Sequence, residues 1–188
     1  MKVVVACPVG RKRDYSLARW AEATQDYDRM VAIDDWDYAA RVHDMGLHVV
    51  RFPLATPWIP THFNNAWRVL IAAAQEYDYI LSLESDIIAP PDIVEVMFAN
   101  HEADFTCHGY PFRPPRVGTC HEMGCTLAER KTWEKAVETT PAGVALYDWF
   151  RLGGKFTVND IDVVELEHLT PEPFPTNGGQ GGGIWLTK

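Results

Sequence analysis

Lys2-Val3-Val4-Val5-Ala6-Cys7, closed by Pro8 and Gly10, is the stretch on which the fold turns. A continuous apolar run rich in β-branched residues suits a strand covered on both faces, as in parallel sheets, whereas a half-solvated strand would alternate. Downstream, Leu17, Ala18 and Ala21 recur at helical spacing within residues 15–23, and Asp14 is placed to cap them. The unit then repeats. Residues 29–33 read as a strand closed by Asp34-Asp35, residues 38–45 as a helix stopped by Gly46, and residues 47–52 as a third strand. After a proline-marked loop, residues 65–76 read as a helix and Tyr79-Ile80-Leu81-Ser82-Leu83 as a fourth strand. Strands alternating with helices predict an α/β chain with a mostly parallel central sheet and right-handed crossovers.

Beyond Pro90-Pro91 the pattern loosens into a smaller, mixed part. A helix is expected over 92–100, a strand over 104–108, a proline-rich loop over 110–118, a helix over 126–137, and strands over 156–158 and 162–166. The run from Asn177 to Gly183 is mostly glycine and offers little with which to pack, so residues 171–188 read as a tail or lid. Its Trp185 and Lys188 are candidates to close over a ligand. The chain therefore divides into one domain over 1–170, with halves at 1–92 and 93–170, followed by that tail. At 188 residues and 47% hydrophobic content such a domain can bury its own core.

The formal net charge of -9 repels polyanions at long range, and the best basic patch, Arg11-Lys12-Arg13, is short. Residues 3–9 are too brief for a secretory signal, and no stretch has the length of a membrane span. Four cysteines, Cys7, Cys107, Cys120 and Cys125, are too few and too uneven for a disulfide framework, and a cytoplasmic setting is the expectation. Cys107-His108, Cys120-His121 and Cys125 lack a Cys-x2-Cys knuckle, so they read as buried thiols and loop histidines rather than a zinc site.

Chemistry concentrates after residue 83. In open α/β sheets ligands bind at the carboxyl ends of strands, and Glu84 and Asp86 stand at such an end. Two acidic residues separated by one residue in extended backbone point the same way and can approach one hard cation. A magnesium or manganese ion there would stabilise the charge of a diphosphate.

Leu81-Ser82-Leu83-Glu84-Ser85-Asp86-Ile87-Ile88-Ala89-Pro90-Pro91-Asp92 resembles the DXD segment of GT-A glycosyltransferases, especially family 2-like members. The resemblance spans residues 2–169 and implies a Rossmann-like GT-A domain that moves a sugar from a nucleotide-diphosphate sugar, a UDP-sugar first, to an acceptor hydroxyl. It implies that Pro8, Val9, Gly10 and Arg11 line the nucleotide pocket, that Asp34 or Asp35 contacts base or ribose, and that Asn65, Glu84 and Ser85 join them. It also implies that Val163-Val164-Glu165-Leu166-Glu167-His168-Leu169 delivers His168 as a third metal ligand beside Asp86 and Glu84, with Mn2+ or Mg2+ as cofactor. Glutamate at the first motif position departs from the pattern and suits a water-mediated or ribose contact. The usual acidic pair before the late helix is reduced to Tyr147-Asp148, which leaves Asp148 and Glu122 as the candidate catalytic bases.

The acceptor is expected to be a saccharide or, against the charge, a modified DNA base. Trp58 and Trp149 are candidates for stacking on it, whereas Trp67 and Trp133 at helical positions read as core. Arg113 and Arg116 flank Pro114-Pro115 in the acceptor loop and read as solvated cations. Two alternatives stay open: a sugar-phosphate nucleotidyltransferase, which calls for a glycine-rich loop with a basic residue straight after strand one, and a non-catalytic nucleotide-sugar-binding module.

Overall fold

The computed structural model describes residues 1–53, 59–113 and 116–171. Val3–Pro8 forms β1, and its apolar run is buried on both faces as the sequence requires. It pairs in parallel with β2 (Asp28–Ile33) on one side and with β4 (Tyr79–Leu83) on the other, while β3 (His48–Arg51) extends the sheet beyond β2. The other half adds β6 (Phe105–His108), β9 (Cys125–Glu129) and β10 (Val158–Ile161). Among the described residues the central sheet has seven strands in the order β10-β6-β9-β4-β1-β2-β3.

Only β9 reverses the sheet. It lies antiparallel to β4 and to β6, so β6 and β10 regain the direction of β1 and end at the same edge. The expected mostly parallel α/β architecture is what forms.

Alternation along β1 sorts the core into two layers. Val5, Cys7 and Val9 pack under α1 (Asp14–Ala23), α2 (Trp36–His43) and α4 (Ile93–Ala99), through Leu17, Trp20, Val42 and Met97. Val4 and Ala6 face α3 (Ile59–Ala73), α5 (Arg130–Thr139) and α6 (Leu146–Leu152), through Trp67, Leu70, Trp133 and Phe150. Each layer is pinned to β4 by an indole: Trp20 donates to the Leu83 carbonyl and Trp133 to that of Ile80, both at 3.0 Å. Trp67 and Trp133 stack at 4.9 Å and 7°, which fixes both as core residues.

Three local expectations are corrected. The helix over 126–137 is instead β9 followed by α5, because Thr126, Leu127 and Ala128 are fully buried between β4 and β6, and sheet pairing overrides local helix preference. No strand forms over 162–166. There the buried His108 ring donates from Nδ1 to the Gly109 carbonyl at 2.7 Å, and its Nε2 accepts from the Val163 and Val164 amides at 3.2 Å each, taking the donors a ladder would need. The third is a small ladder absent from the sequence reading. In it β5 (Ile87–Ile88) pairs antiparallel with β11 (Glu167–His168), returning His168 to the end of β4. The proposed tail from 172 onward, with Trp185 and Lys188, and Trp58 lie outside the described residues.

Asn64 shows how the two halves are joined. Its amide donates to the Val144 carbonyl at 2.8 Å and its oxygen accepts from the Leu146 amide at 2.9 Å, tying α3 to the start of α6. Removing both bonds strands two buried backbone groups, at about 1–3 kcal/mol for each group left unsatisfied. Asn64→Ala should therefore lower unfolding free energy by about 2–4 kcal/mol in urea titrations, and an unchanged midpoint would show that water replaces the amide.

Candidate active site

The carboxyl ends of β1, β2 and β4 converge on a short 3-10 turn, Arg11–Arg13, that follows β1 directly. Asp86 is the centre of what gathers there. It is fully buried, and its Oδ2 is ion-paired to Arg13 Nη1 and Arg113 Nη2. Arg13 also reaches Glu84 through Nη2 at 3.3 Å. A buried carboxylate with no compensation would cost several kcal/mol, so the two guanidiniums are what allow Asp86 to be ionised there.

His168 completes the group. Its Nδ1 lies 2.8 Å from the Pro111 carbonyl, which can only accept, so Nδ1 carries the proton. In the neutral ring Nε2 then presents its lone pair to Asp86 Oδ2 at 3.4 Å, and burial pushes the His168 pKa down, favouring that neutral form. Two facing acceptors call for a cation between them. Asp86 Oδ1 is likewise buried without a hydrogen-bond partner. A hard oxygen, an imidazole nitrogen oriented from behind and a nearby Glu84 are donors that fit Mg2+ or Mn2+. Among the described residues no three His, Cys, Asp or Glu side chains stand as a ready cage, so the three-ligand centre expected from the sequence is not preassembled. The arginines hold its place.

The other expected residues separate into groups. Pro8, Val9 and Asp34 line a small, largely apolar pocket of about 10 Å3 together with Phe52, His62 and Ala66. His62, which sequence reading missed, donates from Nε2 to Asp34 at 2.9 Å and stacks on Phe52, while its buried Nδ1 has no partner. Asp35 faces away from this role: it caps α2 by accepting from the Tyr38 amide at 3.0 Å and pairs with Arg11 at 3.1 Å. Gly10 is the residue before the 3-10 turn, where its carbonyl accepts from the Arg13 amide at 2.8 Å. Asn65 bonds along its own helix to Arg68 at 2.9 Å. Ser85 is buried, and its amide donates toward the Cys7 thiol.

The two candidate bases differ. Asp148 is exposed in the first turn of α6 and has no described contact with Glu84, Asp86 or His168. Glu122 is exposed in the loop before β9, beside Cys120, and its charge is felt at Tyr110 and His168, which places it on the site's rim. Trp149 is engaged elsewhere, donating to Thr139 at 2.9 Å with Lys155 over its ring. Arg113, read from sequence as a solvated cation, is instead half of the clamp on Asp86. The signal that could have found it is a lone arginine facing a buried carboxylate, which is a three-dimensional fact.

No family model matches the chain, and no curated protein matches it in sequence. Solved structures do match. HddC from Yersinia pseudotuberculosis aligns at TM-score 0.57 and 13% identity, over 86% of this chain and 90% of that one, and the same protein complexed with GMP-PN aligns at 0.56. CMP:2-keto-3-deoxy-manno-octonic acid synthetase complexed with CTP aligns at 0.54 and 11% identity, over 87% and 90%. A197 from STIV aligns at 0.51 and 13% identity, over 91% and 87%. At these identities the likeness establishes the shared Rossmann-like fold.

The expectation of a glycosyltransferase acting on a UDP-sugar is corrected by this finding. The similar structures include a sugar-nucleotide synthetase with its nucleoside triphosphate bound, and the acidic pair of this chain faces two arginines, one delivered straight after β1. Among the described residues no helix is long and apolar enough to cross a membrane.

The clamp makes a stability prediction. Asp86→Ala leaves two poorly exposed guanidiniums facing each other, and breaking such pairs costs about 3–5 kcal/mol. A loss of that size should appear in chemical denaturation; a loss below about 1 kcal/mol would mean that both arginines escape to water.

Proposed function

We propose that this chain is a sugar-activating nucleotidyltransferase, moving a nucleoside monophosphate from a nucleoside triphosphate onto a sugar substrate with release of pyrophosphate. The observation that carries this reading is the convergence of Arg13 and Arg113 on Glu84 and Asp86. A chain of net charge -9 attracts a polyanionic triphosphate only through such a local basic focus. Guanidinium forks match phosphate oxygens geometrically, and their bonds to charged partners are the strong ones. Names of similar structures support it, since one is a CMP-sugar-acid synthetase with CTP bound and another is bound to GMP-PN.

In this reading the base packs over the pocket between Val9, Phe52 and His62, which widens to admit it, with Asp34 at its mouth. Arg13 and Arg113 turn from Asp86 onto the triphosphate, where they neutralise the charge that grows on the departing pyrophosphate. Asp86 and His168, with Glu84 directly or through water, would hold Mg2+ or Mn2+, which supplies Lewis-acid stabilisation of the same charge when bound. The exchange is electrostatically balanced, because Asp86 trades guanidinium partners for a cation while the guanidiniums trade carboxylate for phosphate. Glu122 on the rim faces the second substrate.

A thermal-shift series with CTP, GTP, ATP and UTP, with and without Mg2+, tests the reading. At least one triphosphate should raise the melting temperature in a Mg2+-dependent way, and Arg13→Ala should weaken that nucleotide by about 10- to 100-fold, the value of a charged hydrogen bond. Absence of any triphosphate effect would sink it.

A further inference from the structure

A second titratable cluster lies on the same edge of the sheet and is unused by the phosphate chemistry. His121, in the loop between β8 (Thr119–Cys120) and β9, and Asp162, immediately after β10, meet through Nε2 and Oδ2 at 3.0 Å. Because β6 and β10 run parallel to β1, their carboxyl ends open on the side that carries Asp86. Tyr110 stands between the two groups, its ring edge-on to His168 at 5.4 Å and paired through its strand with Cys120.

The pair is built rather than incidental. A Cβ on Gly109 would come within 1.9 Å of Asp162 Oδ1 and 2.8 Å of His121 Nε2, so a larger residue there would push the two side chains out of their present pairing. The backbone of His121 is held too, its carbonyl accepting from the Tyr147 hydroxyl at 2.9 Å. Since a carboxylate can only accept, Nε2 carries a proton and Nδ1 of the neutral ring holds a lone pair, with no partner among the described residues. The side chain is 22% exposed, open enough to meet a substrate.

We propose that His121 is the general base for the second substrate, that Asp162 positions it, and that the nucleophile it serves is a sugar hydroxyl rather than a phosphate. This rests on the nucleotidyltransferase reading. A phosphomonoester is already ionised near neutrality and needs no base, whereas a hydroxyl must lose its proton as it attacks. The surroundings select the same way: Asp162 is bonded to His121, Glu122 follows it in the chain, and Arg151 is taken up by Asp160. An acidic rim repels a phosphate dianion and tolerates a neutral hydroxyl. In the step, the acceptor oxygen bonds to the α-phosphorus as its O–H bond breaks, and the proton passes to His121 Nδ1. The α–β P–O bond breaks with its electron pair, which leaves on pyrophosphate, and the new imidazolium faces Asp162.

Pyrophosphate release is measured with CTP or GTP and Mg2+, using 2-keto-3-deoxy-octonic acid as the free-hydroxyl acceptor and glucose 1-phosphate as the phosphate acceptor. Release with the sugar acid is expected. His121→Asn should lower kcat about 100-fold with little change in nucleotide KM, the scale of a lost general base. Added imidazole should restore part of the rate of His121→Ala. Asp162→Asn, checked for folding by circular dichroism, should slow the reaction without abolishing it and serves if the histidine variants do not fold. Release with glucose 1-phosphate alone, release with neither acceptor, or a His121→Asn rate close to wild type would overturn the assignment while Mg2+-dependent nucleotide binding leaves the nucleotidyltransferase reading standing. Loss of nucleotide binding itself would overturn both.

Discussion

A carboxylate taken wholly out of water sets the terms for this molecule. Asp86 is surrounded by protein, and its charge is sustained by Arg13 and Arg113, with the His168 ring beside it. Those partners come from the turn after β1, the loop after β7 (Tyr110–Pro111) and the strand β11, so one buried charge requires three remote parts of the chain to be in register. The β5–β11 ladder has the same purpose, with the Leu169 amide donating to the Asp86 carbonyl at 2.8 Å. Charge compensation is therefore what draws these remote segments together around the end of β4.

Much of the first half was legible because its signals are local. β1, β2 and β4 announce themselves by apolar runs with β-branched residues, and the carboxylates at the end of β4 follow from where such strands terminate. Pro8, Val9 and Asp34 line one small pocket at the ends of β1 and β2. Residues 125–129 resist this reading because alanine, leucine and glutamate favour a helix when nothing else decides, and only the two flanking strands decide otherwise.

The site was harder to read for the same reason. Arg113, His62, His121 and Asp162 carry no spacing signature, since each meets its partner across 27 or more positions: 27 from Asp86 to Arg113, 28 from Asp34 to His62 and 41 from His121 to Asp162. Glu84 and Asp86 stand at the end of β4, yet the chemistry open to them depends on which cations face them, and those lie elsewhere in the chain.

The reversal at β9 has a consequence for how the protein can change. It divides the sheet into a block of β4, β1, β2 and β3 and a block of β6 and β10, joined across a single antiparallel strand. The chain between β6 and β9 enters and leaves at the ligand edge, so growth there disturbs the pairing of neither block. Doubling its length would cost only about 0.6 kcal/mol in closure entropy. The same segment carries Arg113 and the Pro111 carbonyl that orients His168, so a longer loop would leave the sheet intact while shifting the cluster around Asp86.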